Sequence, residues 1–241
     1  MGPDHFENTT NSKANADLWY LNKSPFAQPV KIGQQVSQGI AVSKKSMKIA
    51  FTERVNGNTR EGIHARLGIA ELDLKHGAPV LINRKVVMES REKFCIIEAQ
   101  DFYSDDNRLT FFCYNPEGGF NVMGLDLVNK QVTHFSDIPN GYAEPEGIFP
   151  DGLYTTVEMD LQCSWLGGKK GSANLDIWKL KLDGSGKNLE RLTYFNDYET
   201  HKAANPVISS DGRFMAFQAA TTTDPAGMAR GIMIYWFRNK K

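Results

Sequence analysis

Pairs of short β-hairpins recur along this chain, and this internal repetition restricts the possible folds more than any single motif does. The clearest copy begins where residues 175–182 turn at 183–186 into residues 189–194. A second hairpin follows, in which residues 206–209 turn at Asp211-Gly212 into residues 214–219. Alternating apolar and polar residues between such turns are typical of strands, so one unit contains four antiparallel strands.

Turns equivalent to Asp211-Gly212 recur upstream at intervals of about 45 to 60 residues. They are Asp151-Gly152, Asp106-Asn107 and Lys45-Ser46. Four-stranded blades of β-propellers repeat every ~40 to 50 residues, and we assign the longer intervals to insertions at residues 55–66 and 165–174. The sequence therefore predicts an all-β fold, a β-propeller of four-stranded antiparallel blades with about four to five blades visible.

The best-preserved unit is LDIWKLKLDGSGKNLERLTYFNDYETHKAANPVISSDGRFMAFQ. It resembles the repeat of TolB-like propellers, the PD40 or WD40-like repeat. In that repeat a D-[IL]-W strand, a D-G-x-G turn, an R-L-T strand and an S-x-D-G-[KR]-x-[IL]-A-F hairpin follow in order. The resemblance extends over residues 17–237 as unequal copies. It implies an exported, six- or seven-bladed, non-catalytic scaffold that binds a protein, peptide or carbohydrate at the channel mouth.

The start of the chain departs from this pattern. Residues 1–16 are polar and have no apolar segment of the kind found in signal peptides, so we expect a flexible N-terminal segment before the blades of residues 17–241. The first hairpin is an outer one without an inner hairpin before it. Because a blade cannot bury its faces alone, we expect either that Met1 lies inside a longer protein or that another chain completes the ring. A structural subunit of a larger assembly is a further alternative. The resemblance alone indicates a periplasmic or extracellular location.

Charge and cysteine content exclude several classes of protein. The 28 basic and 28 acidic residues balance, so no overall positive field recruits nucleic acid. No apolar run reaches the ~18 to 20 residues that a membrane-spanning helix needs, which argues against an integral membrane protein. The three cysteines are odd in number and lack C-x-x-C spacing, so the sequence predicts neither a disulfide framework nor a zinc site.

Alignment on the Asp-Gly turns places a group of polar residues at equivalent rim or channel positions. We predict ligand binding by Glu98, Asp101, Glu144, Glu146, His201 and Asn205. Carboxylate and imidazole groups also bind divalent cations, and for such a cation the predicted ligands are Glu144, Glu146 and His201. Because carboxylates are mostly surface groups, solvated rim residues remain the alternative.

An enzymatic alternative rests on oligogalacturonate lyases, which are similar to this family and use a metal with channel-mouth histidines. Proton abstraction next to a carboxylate needs a base and a cation that stabilises the enolate. Among the histidines only His201 falls at a fitting position. Ser185 lies in a hairpin turn and does not have the spacing of a catalytic serine. We therefore assign no catalytic residue and keep a metal-dependent polysaccharide lyase or hydrolase as the second interpretation.

Overall fold

The computed structural model describes most of the chain. The described residues are 16–36, 39–58, 62–74, 78–90, 96–115, 119–138, 141–161, 173–225 and 228–237. The predicted flexible segment, apart from Ala16, and residues 165–172 of the second predicted insertion lie outside them.

Five antiparallel sheets follow one another within these residues, and we name them sheets A to E in chain order. Sheet A contains β1 (Ala16–Tyr20) and β2 (Val30–Val36). Sheet B contains β3 (Ile40–Val42), β4 (Lys48–Asn58), β5 (Gly62–Asp73) and β6 (Val80–Glu89). Sheet C contains β7 (Ile96–Phe102), β8 (Arg108–Asn115), β9 (Gly119–Asp126) and β10 (Val132–Ile138). Sheet D contains β11 (Tyr142–Ile148), β12 (Tyr154–Asp160), β13 (Asp176–Lys181) and β14 (Leu189–Arg191). Sheet E contains β15 (His201–Ile208), β16 (Phe214–Thr221) and β17 (Gly231–Trp236).

Each complete sheet is an up-and-down meander in which sequence neighbours pair, as β3-β4-β5-β6 do in sheet B. The predicted turns join the first and second strands of sheets B to E. In two of them a glycine has positive φ, 70° at Gly152 and 71° at Gly212, a conformation that a residue without Cβ adopts at little steric cost. The predicted fold class, four-stranded antiparallel blades in an all-β chain, is confirmed.

Adjacent sheets pack through a recurring position, which lies in β1 of sheet A and in the third strands of sheets B, C and D. In sheets A to D this position is held by an apolar residue no more than 8% exposed: Leu18, Leu67, Val122 and Ile177. Each one belongs to an apolar cluster with residues of the following sheet, as Ile177 does with Ala203, Met215 and Phe217 of sheet E. The core is therefore a series of interfaces between consecutive sheets, as expected for propeller blades.

Two sequence interpretations need correction. The predicted insertion at residues 55–66 is paired strand in its described part, because β4 and β5 extend into it and pair as far as Asn58 and Gly62. Extra residues on both strands lengthen the hairpin, with one register shift between Arg54 and Asn56. Cys113 in β8 is disulfide-bonded, although the spacing of the cysteines predicted no disulfide framework. The other two cysteines lie outside the described residues.

Helical structure is scarce in the described part, where the one described helix is the 3-10 turn Phe195–Asp197. No described helix has the length and apolar character needed to cross a membrane.

Candidate functional site: an acidic channel

The first strands of consecutive sheets lie beside one another. β3 contacts β7, β7 contacts β11, and β11 contacts β15. These strands line the axis around which the sheets are arranged, so side chains that leave their inner edges meet in a common channel.

Irregular pairing occurs at corresponding places in three of these strands. The register with the second strand shifts between Ala99 and Asp101 in β7, between Pro145 and Ile148 in β11, and between Ala204 and Val207 in β15. Such bulges redirect side chains and are frequent next to functional sites. Here they frame the positions of Gln100, Glu146 and Asn205.

Four glutamates converge at this level of the channel: Glu98 from β7, Glu144 and Glu146 from β11, and Glu158 from β12. One carboxylate oxygen each of Glu144, Glu146 and Glu158 lies within 4.8 Å of the others. Glu144 and Glu158 are also directly opposite each other in the β11-β12 ladder. Like charges at such a position destabilise a sheet, so packing alone gives no reason for this pair.

Neighbouring groups hold the carboxylates of Glu144 and Glu158. Glu144 accepts hydrogen bonds from Gln100 Nε2, at 2.6 Å, and from the Tyr142 hydroxyl. Glu158 accepts the backbone N–H of Asn205 from the next sheet. These contacts fix the carboxylates in place before any ligand arrives.

Glu98 approaches the loop before sheet B very closely. It accepts the backbone N–H of Gly39. A Cβ atom on Gly39 would lie 2.3 Å from Glu98 Cγ, and Gly39 has φ +59°. Only glycine fits this position without moving the glutamate.

Glu146 differs from the other three glutamates. Its carboxylate is partly buried, like those of Glu98 and Glu144, but it has no hydrogen-bond or ion-pair partner among the described residues. It is therefore the carboxylate most available to a ligand.

Burial raises the pKa of all four glutamates, and the charges of neighbouring carboxylates raise it further for Glu98, Glu146 and Glu158. Burial raises the pKa of Glu158 to about 8, with a further contribution from the charge of Glu144. Burial also raises the pKa of Glu146 well above its usual range, and the charges of Glu158, Glu144 and Glu98 add to this effect. The site therefore retains protons that exposed glutamates would lose, because four adjacent carboxylates cannot all ionise at low cost.

One buried cation lies close to this group. Lys202 of β15 is 2% exposed, and its Nζ donates a 2.8 Å hydrogen bond to the backbone carbonyl of Asp224. Its charge favours ionisation of Glu158, but burial lowers the pKa of Lys202 itself. Among the described residues, this one lysine does not balance the charge that four ionised carboxylates would carry.

The remaining predicted residues lie at three different places. Asp101 binds Lys44 Nζ at 3.0 Å and the Ile148 backbone N–H at 2.8 Å, and so joins sheets B, C and D. Asn205 lies beside the cluster and donates its Nδ2 to Gln218 at 2.7 Å. His201 is exposed at the start of β15, with Nδ1 2.7 Å from the Glu199 carbonyl, and is not in the carboxylate group.

Sequence reasoning missed Glu158, which belongs to the second strand of its sheet. A usable signal was present, because Glu158 is the single charged residue between Tyr154 and Met159 in a strand expected to be buried. An acidic residue in such a segment needs a partner or a function.

The five sheets and the carboxylates along their axis define a β-propeller with an acidic channel. In its fold the chain is TolB-like. TolB from Acinetobacter baumannii matches it with a TM-score of 0.59 at 19% identity, over 91% of this chain and 46% of that chain. A putative TolB from Agrobacterium tumefaciens gives a TM-score of 0.59 at 15% identity, over 86% and 64% of the two chains.

A propeller enzyme is also similar in fold. Oligogalacturonate lyase in complex with manganese gives a TM-score of 0.52 at 12% identity, over 87% of this chain and 57% of that chain. This chain thus spans less than two thirds of each of these three proteins. No family model and no curated protein matches its sequence.

Proposed function

We propose that this chain is a non-catalytic binding scaffold whose acidic channel binds the cationic group of a protein or peptide ligand. The observation that carries the proposal is the convergence of Glu98, Glu144, Glu146 and Glu158 from neighbouring sheets. Functional sites tolerate such like-charge clusters because the ligand supplies the compensating charge. The TolB-like fold supports a binding role.

The chemistry of the channel favours a lysine or arginine side chain over a neutral sugar. Glu146 offers an acceptor with no competing donor among the described residues, and Glu144 and Glu158 are already oriented beside it. A guanidinium group can donate two parallel hydrogen bonds to a carboxylate, and it forms strong pairs where water is partly excluded. A carbohydrate would gain hydrogen bonds here but would leave the negative charge unbalanced.

Binding of a penta-arginine peptide tests this proposal. We expect the double substitution Glu144→Gln and Glu146→Gln to weaken binding about 30-fold or more, because removing the charged partners of a desolvated ion pair costs ~2 to 5 kcal/mol. Fluorescence anisotropy with a labelled peptide measures the effect, and a penta-citrulline peptide of the same shape tests the need for charge.

The matched control removes the same number of charges elsewhere. Glu190 and Glu199 are both exposed, so Glu190→Gln with Glu199→Gln should leave binding almost unchanged. Equal losses in the two double variants would mean that the peptide senses only the total charge, and the channel site would be refuted.

A divalent cation is the second candidate ligand, in a metal-dependent lyase or hydrolase. The three carboxylate oxygens within 4.8 Å favour it, with Glu158 beside Glu144 and Glu146 where the sequence suggested His201. Carboxylates suit Mg²⁺, Ca²⁺ or Mn²⁺. Stoichiometric Mn²⁺ binding with turnover of polygalacturonate, both lost in the Glu144→Gln and Glu146→Gln variant, would establish this alternative in place of the scaffold.

Two features bear on location and assembly. Disulfide bonds persist in oxidising compartments, so the disulfide of Cys113 supports a periplasmic or extracellular location. In the described part of the chain, sheet A has two strands and sheet E has three, which supports completion of the ring by further polypeptide or a subunit role in a larger assembly.

A further inference from the structure

Three of the channel carboxylates form a triangle whose size suits one primary ammonium group. One oxygen each of Glu144, Glu146 and Glu158 lies within 4.8 Å of the other two. A lysine ammonium carries three N–H donors, which point in tetrahedral directions. At N···O distances of ~2.7 to 3.0 Å, the three oxygens that accept these donors lie about 4.4 to 4.9 Å from one another. The triangle is therefore no wider than one ammonium group can span.

A guanidinium group has a different shape from an ammonium group. Its donors lie in one plane, and the planar fork aligns with the two oxygens of a single carboxylate. The three oxygens of the triangle belong to three separate side chains on β11 and β12. A tetrahedral donor at the centre of the triangle can bind all three at once. This arrangement favours the ammonium of lysine over the guanidinium of arginine.

The same channel already binds one ammonium group of the chain itself. Lys44 Nζ donates to the Asp101 carboxylate at 3.0 Å and reaches the Ile148 backbone carbonyl at 3.4 Å. Asp101 follows Glu98 by three residues on β7. Oxygen acceptors on the first strands of these sheets thus accept a lysine ammonium a short distance from the triangle.

The repeat separates the structural contact of Glu158 from its charge. Glu158 is the fifth residue of the second strand in sheet D, and Thr52 is the fifth residue of the second strand in sheet B. Thr52 Oγ1 accepts the backbone N–H of Ala99 from the next sheet at 3.3 Å. Glu158 accepts the N–H of Asn205, at the same place in sheet E. Because a neutral hydroxyl makes this contact in sheet B, the contact does not require the negative charge of Glu158.

Sheet C supports this comparison. Its fifth residue in the second strand is Phe112, which is buried in the apolar cluster between sheets C and D. The next sheet has Pro145 at the place of the donor, and proline has no backbone N–H. An acceptor thus occurs in this position where a donor follows, and an apolar residue occurs where none does. The negative charge of Glu158 exceeds what the packing of the sheets needs.

We propose that the ligand presents a lysine side chain, whose ammonium group binds at the triangle of Glu144, Glu146 and Glu158. This inference rests on the proposed function, because it specifies which cation the acidic channel binds. Each ammonium hydrogen then meets one carboxylate, and the ligand's charge offsets the repulsion among the three. Arginine still binds through its charge, but it leaves part of the triangle without a donor.

A methylation series of penta-lysine tests the need for three donors. The peptides are acetylated at the N-terminus and carry lysine with no, one, two or three methyl groups on each Nζ. Methylation keeps the positive charge and removes one N–H with each methyl group. Fluorescence anisotropy should show affinity falling along the series, to about ten-fold or more below penta-lysine for the trimethylated peptide, because charge-assisted hydrogen bonds are lost. Penta-arginine should also bind more weakly than penta-lysine.

Two variants test whether the preference comes from the triangle. Glu158→Thr copies the residue of sheet B and keeps an acceptor for the Asn205 N–H, and it should reduce the preference for lysine over trimethyl-lysine to about three-fold or less. Glu146→Gln should lower the same preference without changing the contact between sheets. Glu190→Thr is the matched control, because Glu190 is exposed, and it should leave the preference unchanged. Circular dichroism establishes that each variant is folded.

The outcomes separate this inference from the proposed function. Equal affinities for penta-lysine and its trimethylated form, both reduced in the Glu144→Gln and Glu146→Gln variant, would overturn the ammonium site and leave the acidic channel in place. A preference for lysine that persists in both Glu158→Thr and Glu146→Gln would also overturn it. Absence of binding by every cationic peptide, or binding that does not depend on the channel glutamates, would refute the proposed function as well.

Discussion

Replacing Asp176 by Ala is expected to lower the free energy of unfolding by about 3 to 5 kcal/mol, which is the cost of breaking a buried ion pair from one side. Asp176 is 1% exposed at the start of β13. Its carboxylate accepts hydrogen bonds from the Thr193 hydroxyl and the Phe195 backbone N–H, both at 2.8 Å, and from Arg191 at 2.6 Å. The residue thus ties the first residue of the D-[IL]-W strand to the segment that follows β14.

Thermal unfolding measures this loss as a fall in Tm of roughly 6 to 20 °C, since 1 kcal/mol corresponds to ~2 to 4 °C in a chain of this size. Asp151→Ala is the matched control. Asp151 is exposed and accepts one local bond, from the Leu153 backbone N–H, so its loss should cost less than about 1 kcal/mol. Similar Tm values for the two variants would show that the Asp176 network does not stabilise sheet D.

Replacing Glu146 by Gln should stabilise the ligand-free chain at alkaline pH and reduce its pH dependence. The pKa of Glu158 is about 8 and that of Glu146 is also raised, so near neutral pH the folded chain holds protons that the unfolded chain, with glutamates at 4.5, has lost. Stability then falls as pH rises toward and through 8. Removing one carboxylate relieves the repulsion on Glu158, Glu144 and Glu98.

We expect Tm in the Glu146→Gln variant to rise by about 2 to 12 °C at pH 8 and to change little at pH 5, on the basis of ~1 to 3 kcal/mol of relieved repulsion. At acidic pH, other carboxyl groups determine how the stability changes with pH. Hydrogen bonds to the carboxyls of Asp105 and Asp106 lower their pKa values, so their contribution is lost only below about pH 4. Burial lowers the pKa of Lys202 from its usual 10.5, so the folded chain binds fewer protons at this residue than the unfolded chain at alkaline pH. The contribution of Lys202 to stability therefore rises with pH, opposite to that of the glutamates. A Glu146→Gln variant that is less stable than the wild-type chain at pH 8 would contradict repulsion between the channel carboxylates.

Turn chemistry made the fold predictable from the sequence. Asp-Gly turns such as Asp151-Gly152 fix the ends of neighbouring strands through local backbone conformation. Such a local conformational preference can be recognised from the sequence alone. The same argument failed for residues 55–66. A longer interval between equivalent turns is consistent both with an inserted loop and with two strands that continue further, so the interval alone does not distinguish them. The disulfide of Cys113 was missed because pairing of cysteines depends on distances in space.

Prediction of the site was limited by contacts between sheets. Alignment of the repeats indicated Glu98, Glu144 and Glu146, since each lies in the first strand of its blade. It could not find Glu158, because that residue enters the site from a second strand through cross-strand pairing with Glu144. The rim or channel position of His201 rested on strand alignment alone, and in the structure its ring is exposed and contacts the Glu199 carbonyl, outside the group of three carboxylates.

The most direct test of the acidic channel is a count of the protons released when penta-arginine binds at pH 7. Isothermal titration calorimetry in two buffers of different ionisation enthalpy gives this number. If the glutamates share protons and the guanidinium groups bind among them, the wild-type chain should release protons, and the Glu144→Gln and Glu146→Gln variant should release fewer and bind more weakly. Absence of binding, or binding of equal strength without proton release in both proteins, would contradict the account.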